Sequence, residues 1–169
     1  MATVVKKLAD DVSTDVIYPG RYMATVLPAE TLQYAFADDA PFNARLKAKG
    51  IPPGSVLVAG RNFGCGSSRE QAASTLKGHG LVIVAKGFAR IFLQNAINLG
   101  LKVVQAPEIE ADEGDELELA ADQVTNRTTG RTFRVLPLPA ARQLIIDAGG
   151  LINYTRQRVL NRTGRSDSR

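Results

Sequence analysis

The chain has 169 residues, of which 44% are hydrophobic and 22% charged, a composition typical of one globular domain and incompatible with general disorder. Its formal net charge is +4, and residues 155–169, with five arginines and one aspartate, carry all of this excess. Because the remainder is neutral as a whole and the chain has no Trp, a nucleic-acid-binding groove is not expected.

The cysteine content and the lack of long apolar runs indicate where the protein works. One cysteine, Cys65, allows no intramolecular disulfide, which is typical of a reducing compartment. The first residues, MATVVKKLADD, lack the apolar run of a signal peptide, and no segment approaches the roughly 20 apolar residues that span a bilayer. We therefore predict a cytoplasmic protein with no membrane role.

The first third of the chain predicts a strand followed by short helices and loops. TVVKK is a β-branched strand candidate, and the polar turn after it holds Thr14 and Asp15 before a loop begins near Pro19. Helical spacing follows in PAETLQYAFADDA, and NARLKAKGIPPG ends in strong helix breakers.

The middle of the chain alternates strands with helices. SVLVAG and LVIVA are continuous apolar runs of strand length, separated by a helix that ends at Gly78 and Gly80. GFARIFLQNAINLG repeats apolar residues at helical spacing, stops at Gly100 and leads into the strand LKVVQA. This alternation predicts an α/β fold in which helices cover parallel strands.

From residue 107 the pattern changes to strands without intervening helices. DELELA and RTFRVLPL are strand candidates, and NRTTGR between them predicts the turn of a hairpin. PAARQLIIDAGGLINYTRQRV then predicts a helix on each side of Gly149 and Gly150. With no repeat and no linker, we predict a single domain over residues 1–155 and a basic, flexible C-terminal tail over residues 156–169.

The segment RNFGCGSSREQ, residues 61–71, follows a predicted strand and opens a helix. Ser67 with Glu70 three residues later has the spacing of a capping box, which satisfies the first N–H groups of a helix. The same geometry suits an anion, because glycines let the backbone approach a ligand and helix N-termini favour negative charge. Arg69 adds a forked donor, and without a GK[ST] motif a carboxylate is favoured over a nucleotide phosphate. A structural cap and a carboxylate site are both compatible with these residues.

Two other chemistries are considered for the same segment. A serine hydrolase is disfavoured because G-x-S-x-G is absent and the single histidine, His79, lies beyond the following helix. Cys65 as a nucleophile or redox thiol stays open, since a helix N-terminus lowers a thiol pKa, although no resolving cysteine exists. One cysteine is too few for an iron–sulfur cluster, which takes three or four, so this chain is predicted to bind no metal.

Three segments, read together, resemble the small-subunit family of 3-isopropylmalate dehydratases, the isopropylmalate isomerases of leucine biosynthesis. They are STDVIYPGRYM, GRNFGCGSSRE and VAKGFARIFLQNAINLGL, in the family's order and spacing. The wider relatives are homoaconitase small subunits and the swivel domain of aconitase. The resemblance covers about residues 5–155.

The resemblance implies a swivelling β/β/α domain, similar to the aconitase swivel domain, that closes over an active site on a separate large subunit. That partner is expected to carry a 4Fe-4S cluster and to form a heterodimer or heterotetramer with this chain, which binds no cluster alone. The implied reaction interconverts 2-isopropylmalate and 3-isopropylmalate by dehydration and rehydration. The chain is thus expected to be part of a hydro-lyase that is active only with its large subunit.

The resemblance also implies roles for individual residues. Ser67 is expected to be the base that removes the substrate's proton as an alkoxide, which requires a site that stabilises an oxyanion. Asp15 is expected to orient active-site groups. Ser68, Arg69 and Gly66 are expected to bind substrate.

Substrate choice in this family is attributed to the loop around YMATVLPAE. A distal carboxylate, as in homoaconitate, would call for an arginine in that loop, whereas its apolar side chains favour an alkyl substituent. The alternative is that these residues only pack against the partner. The predicted specificity residues are Arg21, Tyr22, Met23, Ala24, Thr25 and Val26.

Some positions depart from the family pattern or are given structural roles. Gln71 stands where many members have histidine and resembles some homoaconitases, and Ser13 replaces a common acidic residue. The segment from Phe88 to Ile91 is expected to be structural, with Arg90 tying its helix to the site. The alternatives left open are a homoaconitase small subunit, a citramalate or dimethylmalate dehydratase small subunit, and a non-catalytic carboxylate-binding module.

Overall fold

The computed structural model describes residues 1–163, which form a curled sheet with helices on one side. The strands are β1 (Ala2–Lys7), β2 (Val56–Ala59), β3 (Val82–Ala85), β4 (Val103–Gln105), β5 (Glu116–Leu119), β6 (Gln123–Asn126) and β7 (Thr132–Arg134). The α-helices are α1 (Thr14–Ile17), α2 (Pro28–Thr31), α3 (Ala40–Lys47), α4 (Glu70–Gly78), α5 (Arg90–Leu99), α6 (Ala140–Asp147) and α7 (Leu151–Thr163). Single 3₁₀ turns span Gly20–Tyr22 and Leu32–Tyr34.

Parallel and antiparallel strands form two halves of one sheet. Within residues 1–163 the order is β4-β3-β2-β1-β5-β6-β7. Strands β1 to β4 pair in parallel, whereas β5 to β7 pair antiparallel with each other and through β5 with β1. The parallel pairs follow from the helical crossovers between these strands, because a short turn can join only antiparallel neighbours.

Alternate residues of the central strands face two separate cores. In β2, Leu57 packs on the helical side, while Val56 and Val58 pack on the other face with Leu117 and Phe133 from the antiparallel half. The two sheet halves therefore cover each other. The Leu136 N–H donates to the Gln105 carbonyl at 2.8 Å, which joins the segment after β7 to β4 at the opposite edge. These layers confirm the predicted α/β class and its β/β/α arrangement.

The C-terminal strands differ from the predicted hairpin. NRTTGR does form a turn, but it joins β6 to β7, and the strand β6, with the sequence QVTN, was not predicted. Only Val124 in β6 is a buried apolar residue; Asn126 is buried at its end, where its side-chain amide donates to Asp115 at 2.7 Å. Such a short polar run lacks the alternation from which strands are recognised.

Two helices include residues that were not predicted to be helical. Thr14 and Asp15 lie in the one-turn helix α1, because the Ser13 hydroxyl accepts the N–H of Val16 at 3.3 Å and caps it. Helix α7 crosses the predicted boundary at residue 155, so residues 156–163 are helical. The rest of that predicted tail lies outside the described residues. No helix in residues 1–163 has both the length and the apolar character needed to cross a membrane.

Candidate active site

The loops that follow β1, β2 and β3 meet at the carboxyl ends of these parallel strands. Two isolated parallel bridges join them, one between Ser13 and Cys65 and one between Phe63 and Phe88. This edge is where open α/β sheets bind ligands. The fold therefore brings Asp15, after β1, next to the Gly-Ser-Ser-Arg segment after β2.

Two glycines determine the path of the loop between β2 and α4. Gly64 has φ +82°, and a Cβ at this position would overlap the ring of Phe92. Gly66 has φ +89°, a left-handed conformation that strains other residues. Both positions therefore require glycine for the loop to follow its observed path to the serines.

The serines do not cap the helix, so the predicted capping box is wrong. Helix α4 begins at Glu70 with Arg69 as its N-cap residue, and no side chain accepts a hydrogen bond there. The Ser67 carbonyl accepts the N–H of Arg69 at 2.8 Å, which holds the segment before the helix in a non-helical turn. The spacing of Ser67 and Glu70 was compatible with a capping box and with an uncapped turn. The tertiary contacts of the loop selected the uncapped turn.

Ser67 and Ser68, which we call the serine segment, present hydrogen-bond donors that have no partner among residues 1–163. Ser67 and Ser68 are exposed, and within residues 1–163 no hydrogen-bond partner is present for their hydroxyls or their backbone N–H groups. Gly66 is exposed beside them. Unpaired N–H groups ahead of a helix are a suitable environment for a carboxylate or an oxyanion.

Arg69 is largely buried, with 16% of its side chain exposed. Its Nη1 donates to the Asp15 carboxylate, and the Tyr18 carbonyl lies 3.3 Å from the same nitrogen. The buried Nε has no partner within residues 1–163. The guanidinium is thus fixed through one nitrogen and retains donors for a carboxylate.

Asp15 joins Arg69 to the start of the predicted specificity loop. Its Oδ1 accepts the N–H of Gly20 at 2.8 Å as well as the Arg69 hydrogen bond. The Gly20 N–H first, and then the Arg69 side chain, hold the pKa of the Asp15 carboxyl below its usual value of 3.8. The carboxylate is therefore ionised throughout the neutral range.

We expect this lowered pKa to appear in a titration. Because the folded-state pKa lies below 3.8, Asp15 favours the folded chain above that pH, and the contribution is lost as the pH falls through the lowered value. Carboxyl-carbon NMR of the full chain measures the titration directly. An Asp15 pKa at or above 3.8 would show that the contacts with Gly20 and Arg69 are absent in solution.

The base of the specificity loop is held by aromatic rings. Tyr22 stacks on Tyr34 with ring centroids 4.0 Å apart, and the hydroxyl of the buried Tyr18 donates to the Tyr22 carbonyl at 3.0 Å. The Arg21 guanidinium pairs with Asp38 and lies 4.7 Å from the centre of the Tyr22 ring. The cation in this loop is therefore already engaged.

Beyond Tyr22 the loop is mostly apolar and open. Met23, Val26 and Leu27 are 45%, 71% and 57% exposed. Ala24 is exposed and Thr25 is half-buried, with its N–H donating to the Tyr22 carbonyl at 3.0 Å. The tip thus offers apolar surface next to the polar serine segment.

Four further residues that the sequence analysis discussed lie around the site or away from it. His79 is at the opposite end of α4 from Ser67, where its Nε2 lies 2.9 Å from the Leu32 carbonyl. The Cys65 thiol donates to the Asp11 carbonyl at 3.3 Å. The Arg90 side chain is exposed and makes no hydrogen bond or ion pair within residues 1–163, so the expected link between its helix and the site stays a prediction. Gln71 is half-buried in the first turn of α4.

Sequence reasoning missed several contacts that shape the site. These are the Thr14 hydroxyl, the Tyr18 carbonyl, the Gly20 N–H and the Asp38 carboxylate. Only Thr14 carried a signal, because it adjoins Asp15 in a polar turn. No group of three or more His, Cys, Asp or Glu residues arranged to hold a metal exists in the described part of the chain.

Comparison with known proteins identifies the family. The model of the aconitase C-terminal domain matches residues 32–108, which include the Gly-Ser-Ser-Arg segment and α5. A 3-isopropylmalate dehydratase small subunit from Methanosarcina mazei is 44% identical over 92% of this chain and 96% of its own length. A methanogen homoaconitase small subunit from Methanothermobacter thermautotrophicus is also 44% identical, over 89% of this chain and 87% of its own length.

A solved structure agrees with these relatives. The 3-isopropylmalate dehydratase of Methanocaldococcus jannaschii superimposes with a TM-score of 0.86 at 37% identity, covering 96% of this chain and 97% of the other. High identity over nearly the full length of both chains, together with the shared fold, leads to one conclusion. The chain belongs to the family of 3-isopropylmalate dehydratase small subunits.

Proposed function

We propose that this chain is the small subunit of a hydro-lyase that interconverts 2-isopropylmalate and 3-isopropylmalate and is active only with a large subunit. The observation that carries the proposal is the exposed serine segment. Ser67 and Ser68 present hydroxyls and N–H groups that have no partner in the described part of the chain, beside the Asp15–Arg69 pair. The family relationship supports the same reaction.

In this reaction Ser67 takes a proton from a substrate carbon, and the carbon–oxygen bond on the neighbouring carbon breaks. The products are an alkene and water, and the reverse addition at the other carbon completes the isomerisation. A serine acts as a base only where its alkoxide is stabilised, which the N–H groups around Ser68 and the nearby Arg69 charge favour. Arg69 and the Ser68 hydroxyl hold a substrate carboxylate.

The proposed site is incomplete on this chain, which supports a cluster-bearing partner. A 4Fe-4S cluster takes three or four cysteine thiolates, and the chain has one cysteine. The donors of this chain therefore do not fit such a cluster, and we assign it to the large subunit. The same single cysteine supports action in the reducing cytoplasm.

An exposed apolar surface lies on the segments next to the serine segment and suits contact with this partner. Val16 on α1 and Ile91 on α5 are 48% and 47% exposed, and both elements adjoin the loops of the site. The specificity loop adds Met23, Val26 and Leu27. Where such side chains form a contiguous patch, they typically mark an interaction site. We propose that the large subunit covers this surface when the site closes.

The loop favours an alkyl substituent over a distal carboxylate. Arg21 is paired with Asp38 and packed on Tyr22, so its charge is not free for a substrate. The tip beyond it is apolar. The homoaconitase relative keeps a second candidate function open, and Gln71 is the residue that favours it.

The test is turnover of the assembled enzyme. This chain is mixed with anaerobically reconstituted large subunit, and alkene absorbance is followed with isopropylmalate, citramalate, dimethylmalate and homocitrate. We expect turnover to need both chains and isopropylmalate to exceed homocitrate by at least about tenfold in kcat/KM, because an apolar loop leaves the second carboxylate unpaired.

The other outcomes are equally specific. Preference for homocitrate would make the chain a homoaconitase small subunit. No turnover of any substrate with an intact cluster, but carboxylate binding by the chain alone, would favour the non-catalytic binding module. The large subunit alone, without this chain, is the control for background activity.

A further inference from the structure

The segment before α1 runs alongside the segment before α4 and bonds to it repeatedly; three of these bonds lead toward the serines. The Gly64 N–H donates to the Val12 carbonyl, the Thr14 N–H to the Cys65 carbonyl, and the Thr14 hydroxyl to the Ser67 carbonyl, each at 2.8 Å. The first two bonds are ordinary main-chain pairing. The third is made by a side chain.

A side chain bonds the Ser67 carbonyl because main-chain pairing between the two segments ends at Cys65. Thr14 is the first residue of α1, so its chain turns away from the loop after Ser13. Gly66, with φ +89°, lies between the last paired residue of the loop, Cys65, and Ser67. The Thr14 hydroxyl reaches beyond the last paired residue and bonds to Ser67. Thr14 is 2% exposed, so its hydroxyl reaches the exposed Ser67 from the buried side of the loop.

Together with the Arg69 N–H, which donates to the same Ser67 carbonyl at 2.8 Å, the Thr14 contact fixes where the next N–H points. In a planar trans peptide, the carbonyl of one residue and the N–H of the following residue point in opposite directions. The Ser67 carbonyl faces the buried Thr14 hydroxyl, so the Ser68 N–H faces away from Thr14, toward the exposed side of the loop. That N–H has no acceptor within residues 1–163.

We propose that Thr14 is a positioning residue that holds the peptide unit between Ser67 and Ser68, so that the Ser68 N–H is aimed at the reacting substrate or the Ser67 alkoxide. Thr14 contacts the main-chain carbonyl of Ser67 and not its hydroxyl, so it acts through the peptide unit. This inference extends the proposed function, because its catalytic consequence depends on Ser67 being the base.

The test compares Thr14→Val with Thr14→Ser. Valine keeps the shape of threonine but removes the donor, whereas serine keeps the hydroxyl. In the assembled enzyme we expect Thr14→Val to lower kcat by about 10- to 100-fold with little change in KM, because one preorganised donor is misdirected. Thr14→Ser is expected to stay within about threefold of the parent kcat.

A buried threonine far from the serines provides the matched control. Thr75 is fully buried, and its hydroxyl donates to the Thr31 carbonyl at 3.3 Å. Thr75→Val is expected to lower the melting temperature about as much as Thr14→Val and to leave kcat unchanged. If the loss of kcat came only from lower stability, it would appear in both Thr14→Val and Thr75→Val.

A second measurement does not depend on activity. In the full-length isolated chain, labelled with ¹³C and ¹⁵N, the carbonyl signal of Ser67 and the amide signal of Ser68 are expected to move in Thr14→Val and to stay in Thr14→Ser and Thr75→Val. Unmoved signals would overturn the positioning role. Moved signals with an unchanged kcat would overturn its catalytic consequence. An inactive parent enzyme would count against the proposed reaction, while the NMR comparison would still decide the role of Thr14.

Discussion

Ser67→Ala is expected to lower kcat of the assembled enzyme by about 10²- to 10⁴-fold, the range associated with loss of a general base. The Ser67 side chain is exposed, and its hydroxyl has no partner within residues 1–163. Its removal therefore has little effect on the fold, and we expect the free energy of unfolding to change by less than about 0.5 kcal/mol. Steady-state kinetics and thermal unfolding of the same variant separate the two effects.

Cys65→Ala is the matched control for Ser67→Ala. The two residues lie in the same loop, and the Cys65 thiol makes one bond, to the Asp11 carbonyl. We expect its turnover to stay within a few-fold of the parent enzyme. Near-normal turnover of Ser67→Ala would leave Ser67 as a structural loop residue, and a large loss in Cys65→Ala would return the thiol to consideration.

Arg69→Lys is expected to lower kcat/KM by about 100-fold or more, although the charge is conserved. Arg69 bonds Asp15 through Nη1 while its other nitrogens lack partners within residues 1–163. A lysine has one nitrogen, so it cannot hold Asp15 and bind a carboxylate in the same planar geometry. We expect most of the loss to appear in KM, because the role that lysine cannot fill is binding of the substrate carboxylate.

Arg127→Lys is the control for Arg69→Lys. Arg127 also pairs with a carboxylate, Glu118, but the pair is exposed on the antiparallel half of the sheet. Its replacement is expected to change neither kcat nor KM. If Arg69→Lys were equally silent, a substrate-binding role for Arg69 would be excluded, and its contact with Asp15 would be purely structural.

Much of the architecture was accessible from the sequence because it depends on local patterns. The apolar runs at β2 and β3 are buried on both faces, and an uninterrupted run is the sequence form of such strands. Helix α5 ends at Gly100 in the left-handed conformation that favours glycine. The strand β6 escaped prediction because its contribution to the core is the single residue Val124.

For the site, the sequence by itself determined which residue types were present and in what order. Motif resemblance drew attention to Asp15 and to the segment from Gly66 to Arg69, but spacing alone suited a helix cap as well as an anion site. Only the tertiary structure decided between them. It placed Asp15 against Arg69, at a sequence separation of 54, and used the Thr14 hydroxyl to hold the Ser67 carbonyl. The physical reason is that a sequence does not specify where a main-chain carbonyl or N–H points. The hydrogen-bond partner of such a group is settled only when segments that are distant in sequence pack together.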